Sequence, residues 1–223
     1  MVYKIIGTKY WVFVEALVFT VLIFIIGFSL AMFIEFNRIN TISQDYKNYE
    51  IETLDLKLQN YYFQIMDSSS CKQAIEQNFQ FADDIYLKGL KLEQYEEANQ
   101  LTDDLKIEKK RYVLLKTELW LNSLLLKEKC KDPFDTIVYL YSGDPSNNIA
   151  VAQQKVISNV LKDVKDDKGN SVILIPIAGD LELKSVELQM NVYNITSLPA
   201  ILINEKKVIY GYSNAKDIEK YLK

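Results

Sequence analysis

From Ala16 to Ile34 the chain runs for nineteen residues without a charge, the longest apolar stretch in 223 residues. As an α-helix this run covers about 28 Å, close to the ~30 Å of a bilayer's hydrocarbon core. A membrane-spanning helix over residues 12–34 follows. Glu15 is its single charge and lies one turn inside the start, where a carboxylate reaches the headgroups; Tyr10 and Trp11 supply interfacial aromatics. Lys4, Lys9 and the amino terminus precede the span, whereas Glu35 opens a stretch of mixed charge. Positive residues favour the cytoplasmic side. Residues 1–11 are therefore expected inside and everything after residue 35 outside the cell membrane, in a single-pass arrangement. Ser29-Leu30-Ala31 has the small residues of a signal-peptidase site, but the apolar run continues through Met32-Phe33-Ile34, which favours an uncleaved signal anchor.

Composition narrows the chemistry. With 26 Lys and Arg against 30 Asp and Glu, the net charge of −4 gives no electrostatic reason to expect a nucleic-acid partner. The sequence contains no histidine, which excludes an imidazole base, a Ser/His/Asp or Cys/His triad and any metal site that needs imidazole. Two cysteines allow one disulfide or one dithiol and exclude a four-cysteine metal site within one chain. No Gly-rich phosphate loop appears, and no cofactor is expected. Clustered acids such as Glu96-Glu97, Asp103-Asp104 and Asp166-Asp167 read as helix ends and turns rather than metal ligands.

All four prolines fall after residue 132. Long helices are expected first and a turn-rich fold afterwards, divided near Pro133. In residues 35–132, Ile42, Tyr46, Tyr49, Leu56 and Phe63 follow alternating three- and four-residue steps, with Thr53 and Asn60 filling the gaps, and Ile51, Leu54, Leu58, Tyr61 and Ile65 form a second track. This helix should end near Asp67-Ser68-Ser69-Ser70. A second helix is expected from Cys71 to Asn99, with Phe81, Ile85, Leu92 and Tyr95 on one face and Gly89 as a weak point. A third begins after Thr102, lined by Leu105, Tyr112, Leu115, Leu119 and Leu126, with Ile107, Leu114, Leu121 and Leu125 widening its apolar face. These stripes pack either within one chain or between two copies in a homodimer, since antiparallel hairpins and parallel coiled coils share this periodicity. If helices two and three turn at Gln100-Leu101, Cys71 and Cys130 each lie 29 residues away and meet at the far end. A structural disulfide is then expected; a reactive dithiol, free thiols or an intermolecular bridge are the alternatives.

Residues 133–223 read as an α/β domain. Thr136–Tyr141 is β-rich, residues 148–164 are helical, and Asp166–Asn170 make a turn before the buried-strand pattern of Val172–Ile177. Residues 181–193 show helical spacing; Ile201–Asn204 and Val208–Tyr210 form a hairpin; Ser213 caps a last helix ending at Leu222. The order is βαβαββα.

That order, together with Tyr193-Asn194-Ile195-Thr196-Ser197-Leu198-Pro199-Ala200-Ile201-Leu202 and Gly211 after the hairpin, resembles the thioredoxin superfamily over residues 134–223. The resemblance implies a cis peptide at Leu198-Pro199. It also implies a Cys-x-x-Cys pair between the first strand and first helix, where a helix start lowers a thiol's pKa. Residues 142–150 instead read SGDPSNNIA. Dithiol chemistry at that place is absent. More distantly, the layout, with Tyr112–Leu121 leading to Cys130, is similar to membrane-anchored archaeal proteins in which one span and a helical hairpin precede a thioredoxin-like domain.

In the superfamily the residue before the cis proline pairs with an extended peptide, which implies a binding surface of Ser142, Gly143, Asp144, Pro145, Ser197, Leu198 and Pro199. The expected function is non-catalytic binding of a protein or peptide, or scaffolding, at the outer membrane face. The competing reading is a thiol-disulfide oxidoreductase, or redox accessory, that uses Cys71 and Cys130. Asn194-Ile195-Thr196 matches a glycosylation acceptor, but the adjacent proline turn is expected to close it off.

Overall fold

A computed structural model describes residues 3–65, 70–97, 103–131, 133–144, 146 and 148–223. The chain divides into two compact units, Met1–Asn48 and Tyr49–Lys223. Helix α1 is Tyr3–Ile65, and its segment Trp11–Ile34 is long and apolar enough to cross a membrane. Of the two apolar tracks that follow, Ile51, Leu54, Leu58 and Tyr61 are exposed, while the side chains of Ile42, Tyr46, Tyr49, Leu56, Phe63 and Ile65 lie outside the described residues.

Helices α2 (Cys71–Glu97) and α3 (Asp103–Lys129) form an antiparallel hairpin. Its register is fixed by three facing pairs: the Cys71–Cys130 disulfide, with Cα atoms 5.7 Å apart; Asn78 Nδ2 donating to Ser123 Oγ at 3.0 Å; and Gly89 against Tyr112. Each pair is equidistant from the midpoint of Gln100 and Leu101. The turn itself, with Gln100, Leu101 and Thr102, lies outside the described residues, as does the stretch from Met66 to Ser69. Gly89 is a close approach rather than a weak point: a Cβ there would overlap the Tyr112 ring, whose hydroxyl donates to the Ile85 carbonyl at 3.0 Å. Closing a loop of 59 positions restricts the unfolded chain by about 4 kcal/mol in the chain-entropy picture.

Tyr112, Leu115, Leu119 and Leu126 are buried as their spacing predicts, but Ile107, Leu114, Leu121 and Leu125 are exposed. The buried arc of α3 turns the other way, through Val113, Trp120 and Ser123. One side of the helix meets α2 and the other meets the sheet and its hairpin, so the row of Ile107 and Leu114 points away from both.

The sheet contains β1 (Asp135–Tyr141), β2 (Val172–Ala178), β3 (Ala200–Ile203) and β4 (Lys207–Tyr210) in the order β2-β1-β3-β4. Strands β1 and β2 are parallel, and β3 runs antiparallel to both β1 and β4. Helices α4 (Asn148–Lys168), α5 (Lys184–Val192) and α6 (Ala215–Glu219) complete the βαβαββα order. One face of the sheet packs Ile137, Tyr139, Val172, Ile201 and Ile203 against Ile157, Leu161 and Val164 of α4 and Ile218 of α6. The other face, through Val138, Leu140, Ile173 and Ile175, lies on the side of α3 and α5. Both faces of β1 are therefore dry, which is why its sequence is continuously apolar.

Several boundaries differ from the sequence reading: α5 is Lys184–Val192 rather than 181–193, and β3 is Ala200–Ile203 rather than Ile201–Asn204. Helix α4 continues through Lys168, because the Lys165 ammonium bonds the carbonyls of Gly169 (2.7 Å) and Val172 (2.8 Å) and Gly169 adopts φ 54°; the turn shrinks to Gly169–Ser171. The cap of α6 is Asn214, not Ser213, since its Oδ1 accepts the Asp217 N–H at 3.0 Å, and the helix ends at Glu219 rather than Leu222.

Helix α3 is clamped to the β3–β4 turn by one carboxylate. Three residues join β3 to β4; Asn204 and Glu205 are the central pair of the turn that the Lys206 N–H closes on the Ile203 carbonyl at 3.1 Å, and both have positive φ, 50° and 55°, which matches strand twist. Glycine is the usual choice at the second position, and a side chain there costs about 1 kcal/mol. Glu205 offsets that cost through its contacts. Its carboxylate accepts from Trp120 Nε1 (3.1 Å), Lys127 Nζ (3.1 Å) and Thr136 Oγ1 (2.8 Å), while Lys127 also donates to Asn204 Oδ1 at 2.9 Å. Tyr193 stacks on Trp120 at 5.6 Å. The Lys127–Glu205 pair is nearly buried, and removing one partner of such a pair costs about 3 kcal/mol. Glu205→Gln, which keeps the backbone but not the charge, should destabilise by about 2–4 kcal/mol in urea unfolding and alter Trp120 emission. Glu205→Gly, which relaxes the backbone, should still lose net stability.

Candidate functional site

The candidate site lies where β1, β2 and the segment before β3 end. Its first wall is the β1–α4 loop. Gln154, on the buried face of α4, pins the start of this loop: its Oε1 accepts the Ser142 N–H at 2.5 Å and its Nε2 donates to the Ser142 carbonyl at 3.2 Å. Ser142 Oγ donates to Asp180 Oδ2, and the Gly143 N–H donates to Asp180 Oδ1 at 2.6 Å. Asp180 thus holds two consecutive residues of the loop from the end of β2. Helix α3 reaches the same place, with Lys109 Nζ 3.4 Å from the Gly143 carbonyl.

Beyond Gly143 the loop folds on itself. The Asp144 carboxylate accepts both the N–H (2.9 Å) and the hydroxyl (2.8 Å) of Ser146, and these bonds hold its pKa below the ordinary carboxylate value. Because the shift is downward, this turn is retained above the usual carboxylate range and opens as pH falls through the lowered value. Pro145 lies outside the described residues.

The second wall is Ser197, Leu198 and Pro199. Leu198-Pro199 is a cis peptide, as the resemblance implies, and the Pro199 carbonyl accepts the Gly211 N–H at 3.1 Å. Ser197 is exposed and Leu198 half-buried. The Leu198 methyls press against Gly179, where a Cβ would stand 3.1 and 3.2 Å from them. Gly179 is thus a close-approach position, and its N–H donates to the Tyr141 carbonyl at 2.9 Å. A Cβ on Gly143 would likewise stand 3.2 Å from Leu181. The two walls therefore converge on Gly179–Leu181, and counting on from the Leu140–Ala200 pair sets Ser142 opposite Leu198.

Among the expected residues, Ser142, Gly143, Asp144, Ser197, Leu198 and Pro199 border this junction. Cys71 and Cys130 do not: they join each other beside the far end of the helical hairpin. Three residues escaped the sequence reading. Gln154 carried a signal, since it stands on the same three- and four-residue steps as Ile157, Leu161 and Val164, and a polar residue on a core stripe calls for a partner. Asp180 and Gly179 follow β2 directly, and no periodicity or motif marks them in the sequence.

The chemistry of the junction is that of hydrogen bonding. Ser142 already donates to a carboxylate, a base too weak to raise an alkoxide, so its hydroxyl is not an activated nucleophile. Among the described residues no group of three or more His, Cys, Asp or Glu has the arrangement to hold a metal ion. By contrast, neither Ser197 nor Leu198 engages its backbone N–H or C=O in a hydrogen bond among the described residues. The chain matches no protein-family model and no curated protein.

Asp180→Ala should speed amide hydrogen exchange at Gly143 while leaving β1 and β3 protected. Equal acceleration in the strands would mean that Asp180 supports the whole sheet rather than this loop.

Proposed function

We propose that the chain is a single-pass protein of the cell membrane, anchored by residues 12–34 with its C-terminal portion outside, and that residues 133–223 form a thioredoxin-like domain that binds an extended peptide without redox chemistry. Support for the fold comes from the β2-β1-β3-β4 order, the antiparallel β3 and the cis Leu198-Pro199 that opens it. Support for the loss of exchange chemistry comes from sulfur placement. The loop that carries the dithiol in the superfamily has Ser142 and no cysteine, and both thiols of the chain are consumed in the Cys71–Cys130 bond. A hydroxyl cannot form or exchange a disulfide.

The observation that carries the binding half is the open backbone of Ser197 and Leu198. Unpaired backbone groups at a sheet end are a template for an added strand, with backbone bonds supplying affinity and side-chain pockets supplying selectivity. Leu198, pressed on Gly179, provides an apolar floor, and Asp144 provides a fixed negative charge at the rim.

A photo-cross-linking side chain at Ser197 of the full-length chain in its native membrane should give a discrete protein adduct, absent when the same group is placed at Lys162 on the exposed face of α4. Identical adducts from both positions would contradict a local binding edge. Protease added to intact cells should digest the C-terminal portion; a protected fragment would contradict the outward orientation.

A further inference from the structure

Asn194-Ile195-Thr196 is the one Asn-x-Ser/Thr triplet in the sequence. It falls in the turn between α5 and β3, and contrary to the sequence reading the proline turn beside it leaves it open: Asn194 and Thr196 are both exposed, with Ile195 buried between them. The backbone is held from within. The Ile195 N–H donates to the Met190 carbonyl at 2.8 Å, Asn194 adopts φ 52°, and the Tyr210 hydroxyl donates to the Asn194 carbonyl at 3.1 Å. With Ile195 as the inward anchor, its two neighbours face solvent. The Asn194 carboxamide makes no hydrogen bond among the described residues, so its Nδ2 is uncommitted and its surroundings have room for a bulky, solvated substituent.

We infer that Asn194 is an N-glycosylation acceptor for a lipid-linked saccharide. In the transfer, a bond forms between Asn194 Nδ2 and the anomeric carbon of the sugar, and the bond from that carbon to a phosphate oxygen of the polyprenyl carrier breaks. The electron pair leaves with the phosphate, one amide proton passes to the transferase, and no oxidant is involved. The Thr196 hydroxyl is the second recognition element, two residues on. The inference rests on the outward orientation proposed above. Because Ile195 is buried once the fold closes, the acceptor is gripped before closure, and the finished fold then carries the glycan at its surface.

The test is translation of the full chain into microsomes that contain an oligosaccharyltransferase, beside a variant with a second acceptor made by Gln153→Asn and Lys155→Thr on exposed positions of α4. The expected result is one glycan on the parent chain, released by peptide N-glycanase with conversion of Asn194 to aspartate. It should be lost in Asn194→Gln and Thr196→Val and kept in Thr196→Ser. A glycan on the α4 acceptor with none on Asn194 overturns the inference and leaves the orientation standing. A chain bare at both acceptors overturns the two together.

Discussion

The arrangement of the C-terminal unit depends on where the Glu205 carboxylate finds its donors. The β3–β4 turn holds Asn204 and Glu205 in left-handed backbone, and an acidic side chain there is tolerated because α3 brings Trp120 and Lys127 to it while β1 brings Thr136. One carboxylate thereby joins the helical hairpin, the central strand and the β3–β4 turn. The hairpin is thus part of the domain's own packing rather than an appendage: Phe79 of α2 meets Phe134 edge-on at 5.3 Å, and Trp120 is completely buried under Tyr193.

The disulfide and the proposed binding edge lie at separate places in this arrangement. The disulfide braces the end of the hairpin by closing a loop of 59 positions, a contribution that acts on the unfolded chain and needs no exposed thiol. At the end of β1, Gln154 and Asp180 accept hydrogen bonds that fix Ser142 and Gly143. In the proposed reading a scaffold suited to exchange is kept for its edge. There the fixed loop stands opposite Ser197 and Leu198, whose backbone groups make no hydrogen bond among the described residues.

Legibility in the sequence followed the range of the forces involved. Periodicity located the α-helices and strands of the described residues because burial on one or two faces imprints spacing locally, as in the doubly buried Thr136–Leu140 run and the Ile157, Leu161, Val164 steps. The equal arms around Gln100-Leu101 anticipated the Cys71–Cys130 bond, since helical rise is constant. What failed was rotational: Ile107, Leu114, Leu121 and Leu125 looked like core and are exposed, because the direction a helix turns is decided by partners distant in sequence, here α2 and the β3–β4 turn. The Glu205 clamp was illegible for the same reason, its donors lying 69 to 85 positions away. The caps erred by a single residue, Ser213 for Asn214, a difference only hydrogen-bond geometry decides.

The proposed absence of sulfur exchange is tested by the rate at which the full-length, detergent-solubilised chain catalyses reduction of insulin by a small dithiol. With both cysteines joined to each other, the uncatalysed rate is expected, unchanged by alanine at Cys71 and Cys130. Turnover above background that disappears in Cys71→Ala or Cys130→Ala would contradict it.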